Sequence, residues 1–177
     1  VASDGEEPGG NTANSAQAGW LRSGLAASTA CFDVVVFHNA PYSTGIHHGS
    51  SPTMRWPFAA WGADVVMSGH EHNYERLNVA GTPYFVNGLG GKSKYKFGNT
   101  GSLPLGVTSM ARYKAKFGAM LVTVTKSGLT SQFFNTDGAL IDTYTLNKTC
   151  APAATSPATA TPTTTPTSTP TDTPTAT

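Results

Sequence analysis

Charge is scarce in this sequence. Only 12% of its residues are Asp, Glu, Lys or Arg, and the formal net charge is +1. Without a basic cluster to meet a phosphate backbone, nucleic acid is not expected as the main partner. No apolar run approaches the ~20 residues of a helical membrane span, so no such span is expected. Cysteine is almost absent. Cys31 and Cys150 are the whole complement; they form one disulfide in an oxidising compartment or stay as two buried thiols, and sequence spacing does not choose. There is no initiator Met and no signal-peptide pattern, so Val1 reads as a processed end or a cut through a longer chain. The 177 residues suffice for one domain with a sizeable core.

The stretch that organises the rest is Asp64-Val65-Val66-Met67-Ser68-Gly69-His70-Glu71-His72. Its apolar, partly β-branched run suits a strand buried on both faces. Gly69 allows a turn or a close approach. With extended backbone beyond it, His70 and His72 aim one way and Glu71 the other. Two neutral imidazoles sharing one space are a metal-site pattern, and a pair of surface histidines is the bland alternative. Asp33-Val34-Val35-Val36-Phe37-His38 repeats the design: an apolar run ending in histidine. Ligands collect beyond the carboxyl ends of strands in open α/β sheets, so neighbouring parallel strands would bring these histidines to one rim. His47 and His48 follow in the next loop, and all five histidines fall between residues 38 and 72.

Residues 1–14 read as a loop, and Asp4, Glu6 and Glu7 fit no ligand spacing. A helix is expected over 15–28, with Trp20, Leu21, Leu25 and Ala18 near helical spacing and Arg22 facing out. A strand over 31–38 leads into a long irregular loop over 39–51, the kind that often carries function. Ser51-Pro52 opens a short helix that Pro57 interrupts and Gly62 ends. After the strand at 64–68, short strands are expected at 74–79, 83–87, 118–125, 129–135 and 140–146. Residues 88–117 show no period. Their Lys92, Lys94, Lys96 and Arg112 either attract an anionic substrate or belong to a solvated flap. Residues 151–177 are almost wholly Thr, Pro, Ala and Ser, with prolines at 162, 166, 170 and 174. That composition cannot form a core and reads as a disordered, extended linker or stalk, as in secreted or surface proteins.

Gly69-His70-Glu71-His72 behind the strand ending in His38 resembles the C-terminal half of a calcineurin-like metallophosphoesterase catalytic domain. The resemblance runs over roughly residues 15 to 147. It takes in Gln17-Ala18-Gly19-Trp20-Leu21, Phe58-Ala59-Ala60-Trp61, Asn73-Tyr74-Glu75-Arg76 and Val86-Asn87-Gly88-Leu89-Gly90-Gly91. The His47-His48 pair is similar to the purple acid phosphatase branch. The resemblance implies an α/β fold: the C-terminal portion of a four-layer α/β/β/α sandwich over residues 15–150, with metals at the strand ends, followed by the disordered tail. It implies a secreted or cell-surface enzyme that hydrolyses phosphate monoesters or diesters with two divalent or mixed-valence metal ions (Fe, Zn or Mn). His38 and His70 would bind one metal and His72 the other, while His48 and His47 would lie over the substrate phosphate. Two metals about 3.5–4 Å apart activate water and neutralise charge on the phosphoryl group.

The family's N-terminal half supplies Asp-x-His, Gly-Asp and Gly-Asn-His motifs. None occurs here. Asp33 and Asp64 sit at strand starts, the wrong end. The partner that the chain calls for is therefore that other half, and little or no phosphatase activity is expected of the chain alone. An uncovered sheet edge and apolar face are expected with it. Two other readings stand beside this one: a noncatalytic surface or binding module on a stalk, and a mononuclear zinc hydrolase using His38, His70 and His72 together.

Overall fold

The computed structural model describes residues 1–3 and 9–150. The loop carrying Asp4, Glu6 and Glu7 and the Thr/Pro tail at 151–177 lie outside the described residues. Helix α1 (Ala16–Ala27) starts at Ser15, whose hydroxyl accepts the Ala18 N–H at 3.3 Å. Ala18 is fully buried, and Leu21 and Leu25 pack beside it. Trp20, expected on this face, is 70% exposed. It lies two residues from Ala18, about 200° around the helix, so burying one exposes the other.

Strands β1 (Val34–Asn39) and β2 (Val65–Gly69) run parallel and adjacent, with a 3-10 turn (Pro52–Met54) and the single-turn helix α2 (Phe58–Trp61) between them. As the sequence indicates, Pro57 separates the two helical pieces and Gly62 closes α2. Ser51 occupies the cap position, but its hydroxyl makes no capping hydrogen bond. Strands β3 (Tyr74–Val79) and β4 (Thr82–Asn87) form a hairpin whose two turn residues, Ala80 and Gly81, both have positive φ.

The stretch expected to be aperiodic contains a strand, β5 (Val107–Tyr113), which pairs with β3. It alternates half-buried and exposed residues. Ser, Thr and Arg occupy much of it, which hides its period at the level of sequence. The five-stranded sheet has the order β1-β2-β4-β3-β5. Strands β6 (Gly118–Val124), β7 (Gly128–Asn135) and β8 (Leu140–Asn147) make a second, antiparallel sheet.

Two cores result. Val35, Phe37, Val66, Tyr84 and Val86 pack toward α1, α2, Met54 and Trp56. Val65, Tyr74 and Phe85 face Leu129 and Phe133 of the second sheet. The layers are thus α/β/β. Tyr74 stacks on Phe133 with ring centroids 4.1 Å apart. Asp142 takes a hydrogen bond from Tyr74 Oη (2.8 Å) and a two-pronged ion pair from Arg76 (2.8 and 3.0 Å). Cys31 and Cys150 form a disulfide, Cα–Cα 5.3 Å, tying the entry of β1 to the exit of β8.

The second sheet does not reach over β1. Val34 and Val36, on the face opposite Val35 and Phe37, are 37% and 58% exposed. Burial on both faces holds for β2, whereas β1 is an edge strand buried on one. The free edge itself has company. The Val1 amino group donates to the Val36 carbonyl (3.2 Å), and the Asn39 N–H donates to Ser3 Oγ (2.8 Å). No described helix is long and apolar enough to cross a membrane.

Candidate functional site

The carboxyl ends of β1 and β2 are in register, Asn39 opposite Gly69, so His38 and His70 meet at the same rim. His38 Nε2 lies 3.0 Å from His70 Nδ1. The backbone at His70 is not extended: β2 stops at Gly69, and His70 has φ 67°. This corrects the expected geometry in which His70 and His72 point together. A left-handed histidine costs on the order of 1 kcal/mol, and the turn swings the imidazole back over β1 toward His38.

His48 arrives from the 39–51 loop and stacks on His70, centroids 3.7 Å apart. His47 lies edge-on to His48 at 4.6 Å. His72 stacks on Tyr95 (4.1 Å, planes 11° apart), and Tyr95 also lies 3.9 Å from the His47 ring. All five histidines thus belong to one rim, joined by a tyrosine that the sequence did not single out. Tyr95 sits between Lys94 and Lys96 in a polar stretch, with no pattern to mark it.

Two buried glutamates hold the loop in place. Glu71 is fully buried, and its Oε1 accepts the backbone N–H groups of His47 (3.0 Å), His48 (2.5 Å) and Gly49 (2.5 Å). Three amides converging on one oxygen compensate the buried charge. A side chain at Gly45 would collide with the Glu71 carboxylate, and one at Gly88 with its carbonyl. Glycine at both positions lets the backbone close around Glu71. Glu75, also fully buried, accepts from Ser43, from the Thr44 N–H and hydroxyl, and from Ser109. Glu71, expected to aim opposite to its two neighbouring histidines, is an inward anchor. Its position between two histidines was the available clue.

Crowding shapes the electrostatics. The His48 and His70 imidazoles are held below their usual pKa, first by desolvation. The next cause is the neighbouring imidazole, His47 for His48 and His48 for His70. Both therefore favour the neutral form, which at His70 carries a lone pair for a metal.

The donor set fits a metal in part. Two imidazole nitrogens bound to one ion at about 2.0–2.1 Å are themselves roughly 3 Å apart, the separation seen for His38 and His70. His72 Nδ1 is buried without a hydrogen-bond partner. Among the described residues, no group of three or more His, Cys, Asp or Glu side chains surrounds one point. The three-imidazole site of the mononuclear reading is therefore not assembled there.

Known proteins resemble this chain in family signature and in fold. The family model for calcineurin-like phosphoesterase matches residues 4–74. A purple acid phosphatase from yellow lupin (Lupinus luteus) seeds superposes with a TM-score of 0.66 at 21% identity, covering 83% of this chain and 32% of that one. GAP50, the anchor in the inner membrane complex of Plasmodium, superposes with a TM-score of 0.61 at 25% identity, covering 72% of this chain and 41% of that one. The chain thus spans well under half the length of either structure. No curated protein sequence matches it.

Proposed function

We propose, from the premise that this chain resembles the calcineurin-like metallophosphoesterases in family signature and the purple acid phosphatases in fold, that it supplies the histidine side of a phosphoester-hydrolysing dinuclear centre. The observation that carries the reading is the His38–His70 pair, 3.0 Å apart at the ends of adjacent parallel strands. His38 and His70 would hold one metal and His72 the other, and Fe, Zn and Mn all suit imidazole with carboxylate. Bound there, the metals would supply Lewis-acid polarisation of the phosphoryl group and activation of water.

His48 and His47 are the chain's own contribution beside them. Fixed by Glu71 through their backbone amides, they would lie over the substrate phosphate and offer imidazole N–H groups to its oxygens, and protonating the leaving alkoxide would call on the imidazolium form. Tyr95, stacked on His72 and lying against His47, limits how far either ring can turn. The carboxylate ligands of such a centre come from residues that this sequence does not contain, so the chain by itself turns over little or no substrate. The substrate is a small phosphate ester. The disulfide supports an oxidising, extracellular or cell-surface setting.

The test is an aryl phosphate assay with added Zn²⁺, Mn²⁺ or Fe, on this chain and on the chain joined to a segment bearing the missing carboxylate motifs. Turnover is expected only in the joined protein and is lost with His70→Ala. Robust turnover by the chain alone, abolished by His70→Ala, would overturn the division of the site. A second reading draws on the likeness to GAP50, an anchor by its description: a noncatalytic binding module. Metal binding without turnover in the joined protein would favour it.

A further inference from the structure

Residues 88–117 contain Lys92, Lys94, Lys96, Arg112, Lys114 and Lys116 and not one Asp or Glu. That is +6 in a chain whose total is +1. Folding then concentrates the charge. Tyr95 N–H donates to the His72 carbonyl (3.0 Å), Ile46 N–H to the Lys96 carbonyl (3.1 Å) and Gly98 N–H to the Thr44 carbonyl (2.6 Å). These bonds lay the 95–98 segment along the loop that bears His47 and His48. On its other side opens a groove of about 820 Å³ lined by Lys94, Phe97, Arg112, Tyr113 and Lys114. Lys94 and Tyr95 also line a smaller hollow with His47. The groove therefore begins where the histidine rim ends.

Its cations are not neutralised by acids. Arg112 donates to the Gly98 carbonyl (3.1 Å) and Lys94 to the Ala115 carbonyl (2.8 Å). Both lie over aromatic rings, Arg112 on Phe97 at 5.2 Å and Lys94 on Phe117 at 5.3 Å. Among the described residues, only Lys116 of the six has a carboxylate partner, Asp137. Carbonyls and ring faces orient a cation and leave its charge available.

We propose that this groove is a binding site for further phosphate groups on the leaving-group side of the substrate, so that the preferred ligand is a small molecule carrying several linked phosphates. The proposal rests on the reading of the histidine rim as the place of hydrolysis. The groove's volume suits a small molecule, and Phe97 and Tyr113 line it beside the cations. An extended polyanion would call for a long basic stripe instead. The uncompensated charge lies beside the rim, where a substrate held by one phosphate at the histidines would extend its others.

Calorimetry on the full chain tests this with inorganic tripolyphosphate and orthophosphate as probes, in metal-free buffer at fixed ionic strength. Tripolyphosphate is expected to bind at least tenfold more tightly than orthophosphate. The Lys94→Gln/Arg112→Gln/Lys114→Gln variant should lose tenfold or more of that affinity with an unchanged circular dichroism spectrum. Lys126→Gln, which removes an exposed cation outside the groove, should keep it. Failure of the hydrolysis assay with this binding intact would sink the rim reading and leave the groove. Three results would overturn the proposal: no preference for tripolyphosphate; full retention in the groove variant; or equal displacement by anionic lipid vesicles and oligonucleotides, which would make the patch an unspecific polyanion surface. Should the triple variant misfold, Arg112→Gln alone should lose about threefold, and no loss there would also overturn it.

Discussion

The interface between the two sheets and the histidine rim solve the same problem, a buried polar group, in opposite ways. At the interface Asp142 has Tyr74 and Arg76 on it, and the rings of Tyr74 and Phe133 close around the pair. At the rim Glu71 and Glu75 are also saturated on one side, by amides and hydroxyls of the loop that carries the histidines. Beside them, Glu71 Oε2, His72 Nδ1 and both polar atoms of Asn73 are buried without partners, whereas the sheet interface keeps one such atom among the described residues, Ser131 Oγ. An unpartnered buried polar atom costs about 1–3 kcal/mol, so a region that keeps several is one built for something other than stability. The interface holds the molecule together; the rim is held ready by it.

Four measurements sharpen that contrast. The largest effect should come from the disulfide. The Cys31→Ser/Cys150→Ser variant frees a closure of 119 residues and should lose about 4–5 kcal/mol in urea denaturation. Phe133→Ala, at the centre of the sheet–sheet core, should cost about 3–4 kcal/mol by the same measurement. A loss under 1 kcal/mol would mean that the second sheet is not an integral layer.

Glu71→Gln should cost less, about 2 kcal/mol, yet act where the interface variants do not. Amide hydrogen exchange at His47, His48 and Gly49 should accelerate while β7 stays protected. Uniform acceleration would show that the rim and the core unfold as one unit. The smallest effect is pH-dependent. Burial works against the charge on Asp142, but the bonds from Arg76 and Tyr74 outweigh it and hold the carboxyl below its ordinary 3.8. A lowered carboxyl pKa stabilises the fold above that ordinary value and loses its contribution as the pH falls through the lowered one. Asp142→Asn should therefore cost about 1–2 kcal/mol at pH 6, and the gap from wild type should close as the pH falls from 3.8 through the lowered value. A gap independent of pH would assign the cost to packing.

Much of this was legible before folding was considered. The helix at α1 follows from Ser15 and the Ala18–Leu21–Leu25 spacing, and the two apolar runs ending in histidine announce a shared rim. Most later strands follow from alternating residues between turn signals. The failures have specific causes. Trp20 falls near helical spacing with Leu21, Leu25 and Ala18, but its angle from Ala18 carries it to the exposed face. Strand β5 is masked by its hydroxyl-bearing residues, because it is only half-buried and need not be apolar.

The sequence by itself determined the residue types: five histidines in one short span, two cysteines, and a six-cation stretch free of acids. It also determined which strands could be buried, through their apolar content. Only the tertiary structure decided which way the parts face. The left-handed turn at His70 aims its ring at His38, Glu71 points inward to gather the His47–His48 loop, and the 95–98 segment lies between the rim and the cationic groove. These depend on backbone amides, carbonyls and turn geometry at long range, and every residue carries the same amide and carbonyl, so no pattern of side chains spells them out.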